Sequence, residues 1–332
     1  MNFCILGAGA FGTSIAIHLN SIGHIVTLVP RRMEHALDIT SDRENKVYLP
    51  GVKLDINLQI SGEIKPSIME ADVIILACPS YGLKALCEQI QPHLRSSWGI
   101  KLFIVLSKGL EENSLNLPCQ VVENCFPDYP VAILSGPSYA LEIATGKPAA
   151  MVLAEKTGNP IINTVQTAFS NQVVRVYTSS DTTGVGLGSC LKNVYAIASG
   201  ICDGLELGDN AKSALITRSI TEMVTIGKTL GGQVETFYGL SGFGDLIATC
   251  NGKWSRNRTL GEKIAKGQSA SDIIANQNTS VEGYKATKCF HQLMEKNKLD
   301  APILNEIYEV LYNGKEPKAA LESLMIRNLK EE

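Results

Sequence analysis

The stretch Asn2–Gly12, "NFCILGAGAFG", decides the fold. A short apolar run ends in Gly7, Gly9 and Gly12 with the spacing G-x-G-x-x-G, and a helical pattern follows at once. The apolar run reads as a strand buried on both faces. The glycines permit a tight turn and a close approach of backbone to ligand, and the N–H groups that open the next helix favour an anion. A glycine turn of this kind is weak evidence when isolated. Here it stands directly after a strand and opens a helix, the one context in which it signals a dinucleotide site.

Working outward, Ile25–Val29, Val73–Leu76, Leu102–Leu106 and Val131–Leu134 are further apolar runs separated by helical patterns, and Ala150–Ala154 and Val173–Tyr177 read as two more strands. Alternation of this kind predicts a doubly wound, Rossmann-like α/β domain. From about Asp181 onward only helical patterns remain: 184–202, 210–230, 259–266, 281–297, 301–312 and 317–329. The expected organisation is therefore residues 1–180 as an α/β nucleotide-binding domain and 181–332 as an all-helical domain carrying the substrate site and the catalysis.

An NAD-selective site presents Asp or Glu about 20 residues past the glycines. The second strand instead ends "TLVPRRMEH", which puts Arg31 and Arg32 in that place and Glu34 two residues later. A guanidinium fork suits a 2′-phosphate, so NADP(H) is the expected cofactor, with NAD(H) retained through Glu34. Three other strand ends carry polar or glycine-rich turns, at 77–80, 106–110 and 134–142, and Lys108 is the sole cation in the second.

In Gly184–Cys202, "GVGLGSCLKNVYAIASGIC", Lys192 is the only charged side chain on a helix that is apolar all round and hence buried. Gly184, Gly188, Ala196 and Gly200 share its row, so another backbone or a ligand can come close there. A buried ammonium must pair, lose its proton or serve a site, and Asp245 and Asp203 are the candidate partners. A lysine so placed suits general acid–base chemistry. Further on, "GDLIATCNGKWSRNRTLG" joins Asp245 to a basic loop in which Ser255, Arg256 and Asn257 precede an expected helix start, a good setting for a phosphate. Lys253 reads as a solvated loop charge, and Arg258 as facing solvent or neutralising the cofactor.

Composition bounds the partners. Lys plus Arg number 30 against 33 Asp plus Glu, a formal charge of −3, so no global positive field invites nucleic acid or an anionic membrane. Nine cysteines stand singly and the five histidines show no ligand pairing, which predicts free thiols in a reducing compartment and no metal. The N-terminal run lacks a basic flank, and no stretch approaches the ~20 apolar residues of a membrane span. The expectation is a cytoplasmic protein without membrane insertion, with a homodimer allowed by the apolar helical half.

These residues together resemble the bacterial NAD(P)-dependent glycerol-3-phosphate dehydrogenases from first strand to last helix. The resemblance is carried by "GAGAFGTSIA", "LSKGLE", "LSGPSYALE", "LKNVYAIASGICDGLELGDNAKSALITR" and "GLSGFGDLIATC" followed by "SRNR". It implies reduction of dihydroxyacetone phosphate to sn-glycerol 3-phosphate for phospholipid synthesis, with Lys192 as general acid and Lys108 beside it. It implies that Asp245 bonds substrate and lysine, that Ser255, Arg256 and Asn257 hold the phosphate, and that Asn193 and Thr249 are neighbours. It further implies that Gly136, Ser138 and Ala140 line the junction of substrate and nicotinamide. Gly7, Gly9, Ala10, Phe11, Gly12, Arg31, Arg32, Tyr48, Lys108, Arg256 and Glu282 would contact the cofactor. Departures are small: Ala10 where serine is frequent, Cys190 where alanine is usual, and "NGKW" before the triplet. A β-hydroxyacid dehydrogenase would carry Asn four residues after its lysine, where this chain has Ala196. A non-catalytic NADPH sensor would have little reason to keep a lone lysine in an apolar helix.

Overall fold

In the computed structural model, which describes residues 1–96, 99–276 and 281–328, the chain divides into two compact units. The first comprises Met1–Lys108 and Asn116–Gly186; the second comprises Gly109–Leu115 and Leu187–Glu332.

The first unit is built on one eight-stranded sheet: β1 (Asn2–Leu6), β2 (Ile25–Val29), β3 (Gln59–Ile60), β4 (Val73–Leu76), β5 (Leu102–Val105), β6 (Val131–Ser135), β7 (Ala149–Glu155) and β8 (Val174–Ser179). Its helices are α1 (Ala10–Ser21), α2 (Met33–Asp42), α3 (Ile64–Met69), α4 (Ser80–Ile90), α5 (Pro118–Cys125), α6 (Ala140–Ala144) and α7 (Ile161–Phe169). The strand order is β3-β2-β1-β4-β5-β6-β7-β8, parallel throughout except where β7 runs against β6. β4 and β5 are buried at every residue, and β1 at all but its first, because helices cover both faces of the sheet. Strand order reverses between β1 and β4, so their carboxyl ends frame the topological switch point where ligands of such sheets bind.

Two features of this sheet differ from expectation. β3 is an edge strand of two residues, too short for periodicity to register. β7 turns antiparallel because the chain returns from β6 through only the short α6.

The second unit contains, among the described residues, only helices: α8 (Thr182–Gly204, beginning in the first unit), α9 (Gly208–Thr229), α10 (Val234–Tyr238), α11 (Asp245–Asn251), α12 (Arg256–Ala265), α13 (Ala270–Ala275), α14 (Glu282–Asn297), α15 (Pro302–Tyr312) and α16 (Pro317–Met325). A π-helical turn at Leu240–Gly244 leads into α11. α8 is long and apolar enough to cross a membrane, but 94% of its most apolar window is buried inside the protein, which makes it the core helix. α10, α11 and α13 were not expected from the sequence. The triplet Ser255-Arg256-Asn257 opens α12 instead of preceding it. The expected end of the last helix at Leu329 lies outside the described residues.

Candidate functional site

In the first unit the glycine turn is assembled by contacts that only glycine permits. Gly7 leaves β1 with φ +121° and its N–H donates to Val29 O at 2.9 Å. A Cβ on Gly7 would lie 2.6 Å from Ala77 O, and one on Gly12 would lie 2.1 Å from Gly7 O. These two glycines therefore let the turns after β1 and β4 press together at the switch point. Gly9, the N-cap of α1, differs: a Cβ there would meet nothing within 4 Å. Open space thus faces the turn at a helix start that carries no acidic side chain in its first turn. That fits the pyrophosphate of a dinucleotide. Ala10 and Phe11 are the first residues of this helix, and Arg31, Arg32 and Tyr48 are exposed. Among the described residues neither arginine forms an ion pair.

Four expected residues of this unit converge. Lys108 Nζ donates to Gly136 O at 3.3 Å and stands 6.0 Å from the Phe11 ring centroid. Ser138 Oγ donates to the same carbonyl at 2.9 Å. Gly136 has φ +142°, and a Cβ there would lie 2.9 Å from Ala150 O, so glycine is required by conformation and by space. Ala140 begins α6, partly buried.

In the second unit the site grows from the small residues of α8. A Cβ on Gly188 would lie 3.0 Å from Ser241 O, which brings the π-helical turn against α8 one helical turn before Lys192. Gly242 in turn permits that segment to fold on Phe237, and Gly244 N–H donates to Gly239 O at 3.0 Å. Asp245, next in the chain, thereby meets Lys192. At Gly188 and Gly200, the row that sequence reasoning left open to a backbone or a ligand is met by backbone.

Lys192 Nζ donates to Asp245 Oδ1 at 2.6 Å and to Thr249 Oγ1 at 2.9 Å. The Thr249 hydroxyl donates to the Asp245 main-chain carbonyl at 2.6 Å. Lys192, Asp245 and Thr249 are 7%, 2% and 7% exposed, so ammonium and carboxylate face each other with little water between them. Asp245 and Thr249 are four residues apart on one face of α11, which is how a single helix supplies both partners.

α12 crosses α8 at a glycine contact of its own. Cβ atoms on Gly200 and Gly261 would lie 1.9 Å from Arg258 O and 2.0 Å from Ile197 O. Ser255 is the N-cap of α12, its hydroxyl accepting from Arg258 N–H at 3.2 Å. Asn257 Nδ2 donates to Asn193 Oδ1 at 2.8 Å, and Asn257 Oδ1 accepts from Gly283 N–H at 2.9 Å. Asn257 thus links α8 to the first turn of α14, where Glu282 sits. Arg256 is exposed at the first position of α12 and, among the described residues, makes no ion pair.

Arg258 is not a solvated charge. It pairs with Asp203 at 2.5 Å and with Glu262 at 2.8 Å, and Asp203 also holds Lys212 at 2.9 Å. Asp203 is therefore committed to fixing α12 and α9 on the end of α8, which leaves Asp245 as the partner of Lys192. Lys253 is exposed and stands 5.1 Å from the Trp254 ring centroid. Sequence reasoning missed Asn45 and Thr13, buried polar residues against the glycine turn, because lone polar residues in a loop and a helix leave no periodic signal. It also missed the buried carboxyl of Glu222, which accepts from Ile303 and Leu304 N–H at the start of α15.

The chain matches two family models: the NAD-dependent glycerol-3-phosphate dehydrogenase N-terminus over residues 2–159 and the C-terminus of the same family over residues 181–322. It is similar to glycerol-3-phosphate dehydrogenase [NAD(P)+] of Lysinibacillus sphaericus, 39% identical over 99% of this chain and 97% of that one. The corresponding protein of Clostridium tetani is 38% identical over 98% of this chain and 93% of that one. A solved structure of glycerol-3-phosphate dehydrogenase from Coxiella burnetii superposes with TM-score 0.92 at 32% identity, covering 98% of this chain and 99% of the other.

Proposed function

The chain belongs to the NAD-dependent glycerol-3-phosphate dehydrogenase family, and from that premise we infer that it reduces dihydroxyacetone phosphate to sn-glycerol 3-phosphate. The nicotinamide cofactor supplies the hydride when bound. The residues of this chain bind, orient and move a proton. Lys192 Nζ donates its proton to the C2 carbonyl oxygen as that carbon is reduced, and takes it back in the reverse direction. Asp245 and Thr249 hold the ammonium on a fixed heading, which their short contacts to Nζ support. Arg256, projecting from the N-terminus of α12, grips the substrate phosphate with Ser255 and Asn257, and its exposure and lack of an ion pair among the described residues support that role. We assign Lys108, Gly136, Ser138 and Asn193 to the substrate as well. Gly7, Gly9, Ala10, Phe11, Gly12, Tyr48, Lys108, Ala140, Arg256 and Glu282 are assigned to the cofactor. Arg31 and Arg32, exposed past β2, favour NADPH over NADH by meeting a 2′-phosphate.

Phosphate binding remote from the carbonyl holds the ketone for reduction, so non-phosphorylated ketones are poor substrates. The reaction belongs in the cytoplasm, where it feeds glycerophospholipid synthesis; a homodimer is consistent with it, and light scattering on the purified protein decides that point. The observation that carries this reading is the buried Lys192–Asp245–Thr249 cluster, joined through Asn193 and Asn257 to the exposed Arg256. The test is loss of nicotinamide absorbance with NADPH and with NADH in turn. Oxidation that depends on added dihydroxyacetone phosphate, faster with NADPH, is expected. No substrate-dependent oxidation with either cofactor would overturn the assignment.

A further inference from the structure

Asn45 lies outside every helix and strand, in the turn after α2, and is 0% exposed. Its amide makes four hydrogen bonds. Nδ2 donates to Ala8 O at 2.9 Å and to Thr13 Oγ1 at 2.8 Å. Oδ1 accepts from Tyr48 N–H at 3.3 Å and lies 3.1 Å from His35 Nε2. A primary amide offers two N–H donors and two acceptor lone pairs, so this group is used to capacity. Its orientation follows from the partners: turned over, it would set oxygen against the Ala8 carbonyl and an NH2 group against the Tyr48 N–H. The same argument makes Nε2 the protonated nitrogen of His35.

Ala8 stands between Gly7 and Gly9 in the nucleotide turn. The C=O and N–H of a trans peptide point in opposite directions, and the chain has no cis peptide bond among the described residues. Drawing Ala8 O toward Asn45 therefore turns Gly9 N–H away from it. Thr13 fixes the same amide to the first turn of α1, and the Tyr48 and His35 bonds add the following loop and α2. We propose that Asn45 is the positioning residue of the dinucleotide site, holding the glycine turn, α1 and the Tyr48 loop in the arrangement that receives the pyrophosphate. It does so without touching the cofactor. A glycine turn left untied would lose more conformational freedom on binding, so the effect falls on cofactor affinity and not on the proton or hydride transfer. The inference rests on the reading that this turn binds NADPH.

The test is a fluorescence titration of NADPH, with circular dichroism and steady-state kinetics, on the wild type, Asn45→Asp, Thr13→Val and Thr13→Ser. Asn45→Asp has nearly the same shape and keeps both acceptors but loses both donors, leaving Ala8 O facing a carboxylate. The expected result is a Kd for NADPH about 10- to 100-fold higher, with kcat at saturating NADPH within about threefold and KM for dihydroxyacetone phosphate within about twofold. Thr13→Val, which deletes one acceptor, is expected to raise Kd about threefold to tenfold, and Thr13→Ser to restore it. A merely structural role would lower the melting temperature without separating Kd from kcat. A folded Asn45→Asp that binds NADPH within twofold of wild type would overturn the proposal, as would a kcat that falls in step with affinity. Should Asn45→Asp not fold, the Thr13 pair decides alone, and equal affinity in Thr13→Val and wild type is the overturning result. A wild type that does not bind NADPH would instead sink the reading of function.

Discussion

A lysine 7% exposed can stay charged only if its surroundings replace water, and here Asp245 Oδ1 and Thr249 Oγ1 do so at 2.6 and 2.9 Å. Truncating Lys192 removes the proton donor and the ammonium that faces the buried Asp245 carboxylate. Lys192→Ala is therefore expected to lower kcat by about 10²- to 10⁴-fold, the usual scale of a general acid. The affinity for NADPH should stay within about threefold of wild type. Rapid-mixing kinetics beside a binding titration check both halves, and a near-normal kcat would remove Lys192 from the chemistry. The lysine was legible in the sequence because it is the only charge on an apolar helix. Residue patterning left its partner open between Asp203 and Asp245, which both follow in the chain, and only the family resemblance pointed to Asp245. Packing decides: Lys212 and Arg258 occupy Asp203, and α11 delivers Asp245.

Among elements, the contact of α8 with α12 governs where Ser255, Arg256 and Asn257 lie. Gly200 and Gly261 let the two backbones approach until no Cβ fits between them. Gly200→Ala would put a methyl 1.9 Å from Arg258 O, where the obstructing atom is backbone and cannot swing aside. A cost of about 1–3 kcal/mol or more is expected, seen as a melting temperature lower by several degrees, with the KM for dihydroxyacetone phosphate rising as α12 shifts. Gly82→Ala in α4 is the control. A Cβ there meets nothing within 4 Å and alanine is the better helix former, so stability should hold or rise slightly. Equal melting temperatures for the two variants would show that the crossing tolerates a methyl. The row of small residues on α8 announced some close approach, whereas the π-helical turn and α11 left no trace. Gly239, Gly242 and Gly244 read locally as a flexible loop, whereas Gly242 and Gly244 lie in the π-helical turn, capped by the extended Gly239 and packed on Phe237 and, through Ser241, on Gly188.

Over the whole molecule, the parts legible in advance were those with a continuous or periodic apolar pattern: the apolar strands of the sheet, the apolar helix α8 and the amphipathic helices α9, α12, α14, α15 and α16. What escaped was held by isolated polar groups, and Glu222 is the clearest example. Its carboxyl is 7% exposed, accepts from Ile303 and Leu304 N–H at 2.8 and 3.0 Å and from Tyr195 Oη–H at 3.2 Å, and has no cation paired with it among the described residues. Burial raises its pKa to about 7 from 4.5; the hydrogen bonds to Ile303, Leu304 and Tyr195 only partly offset this, and Asp300 adds a small upward push. The folded state therefore holds this proton more tightly than the unfolded state. Its contribution to stability is complete below pH 4.5 and is lost as pH rises toward and through 7. The loss between pH 5 and 8 is on the order of 2–3 kcal/mol, since each tenfold difference in proton affinity between the two states is worth about 1.4 kcal/mol. Glu222→Gln keeps the shape and cannot titrate. The expected outcome of denaturant unfolding at a series of pH values is that wild-type stability, relative to Glu222→Gln, falls across this window and levels above pH 7. His18, whose pKa burial lowers, changes stability in the opposite sense but cancels in the difference. A difference that does not change with pH would mean that the three hydrogen bonds hold the carboxylate ionised at all these values, and that burial is the weaker influence on Glu222.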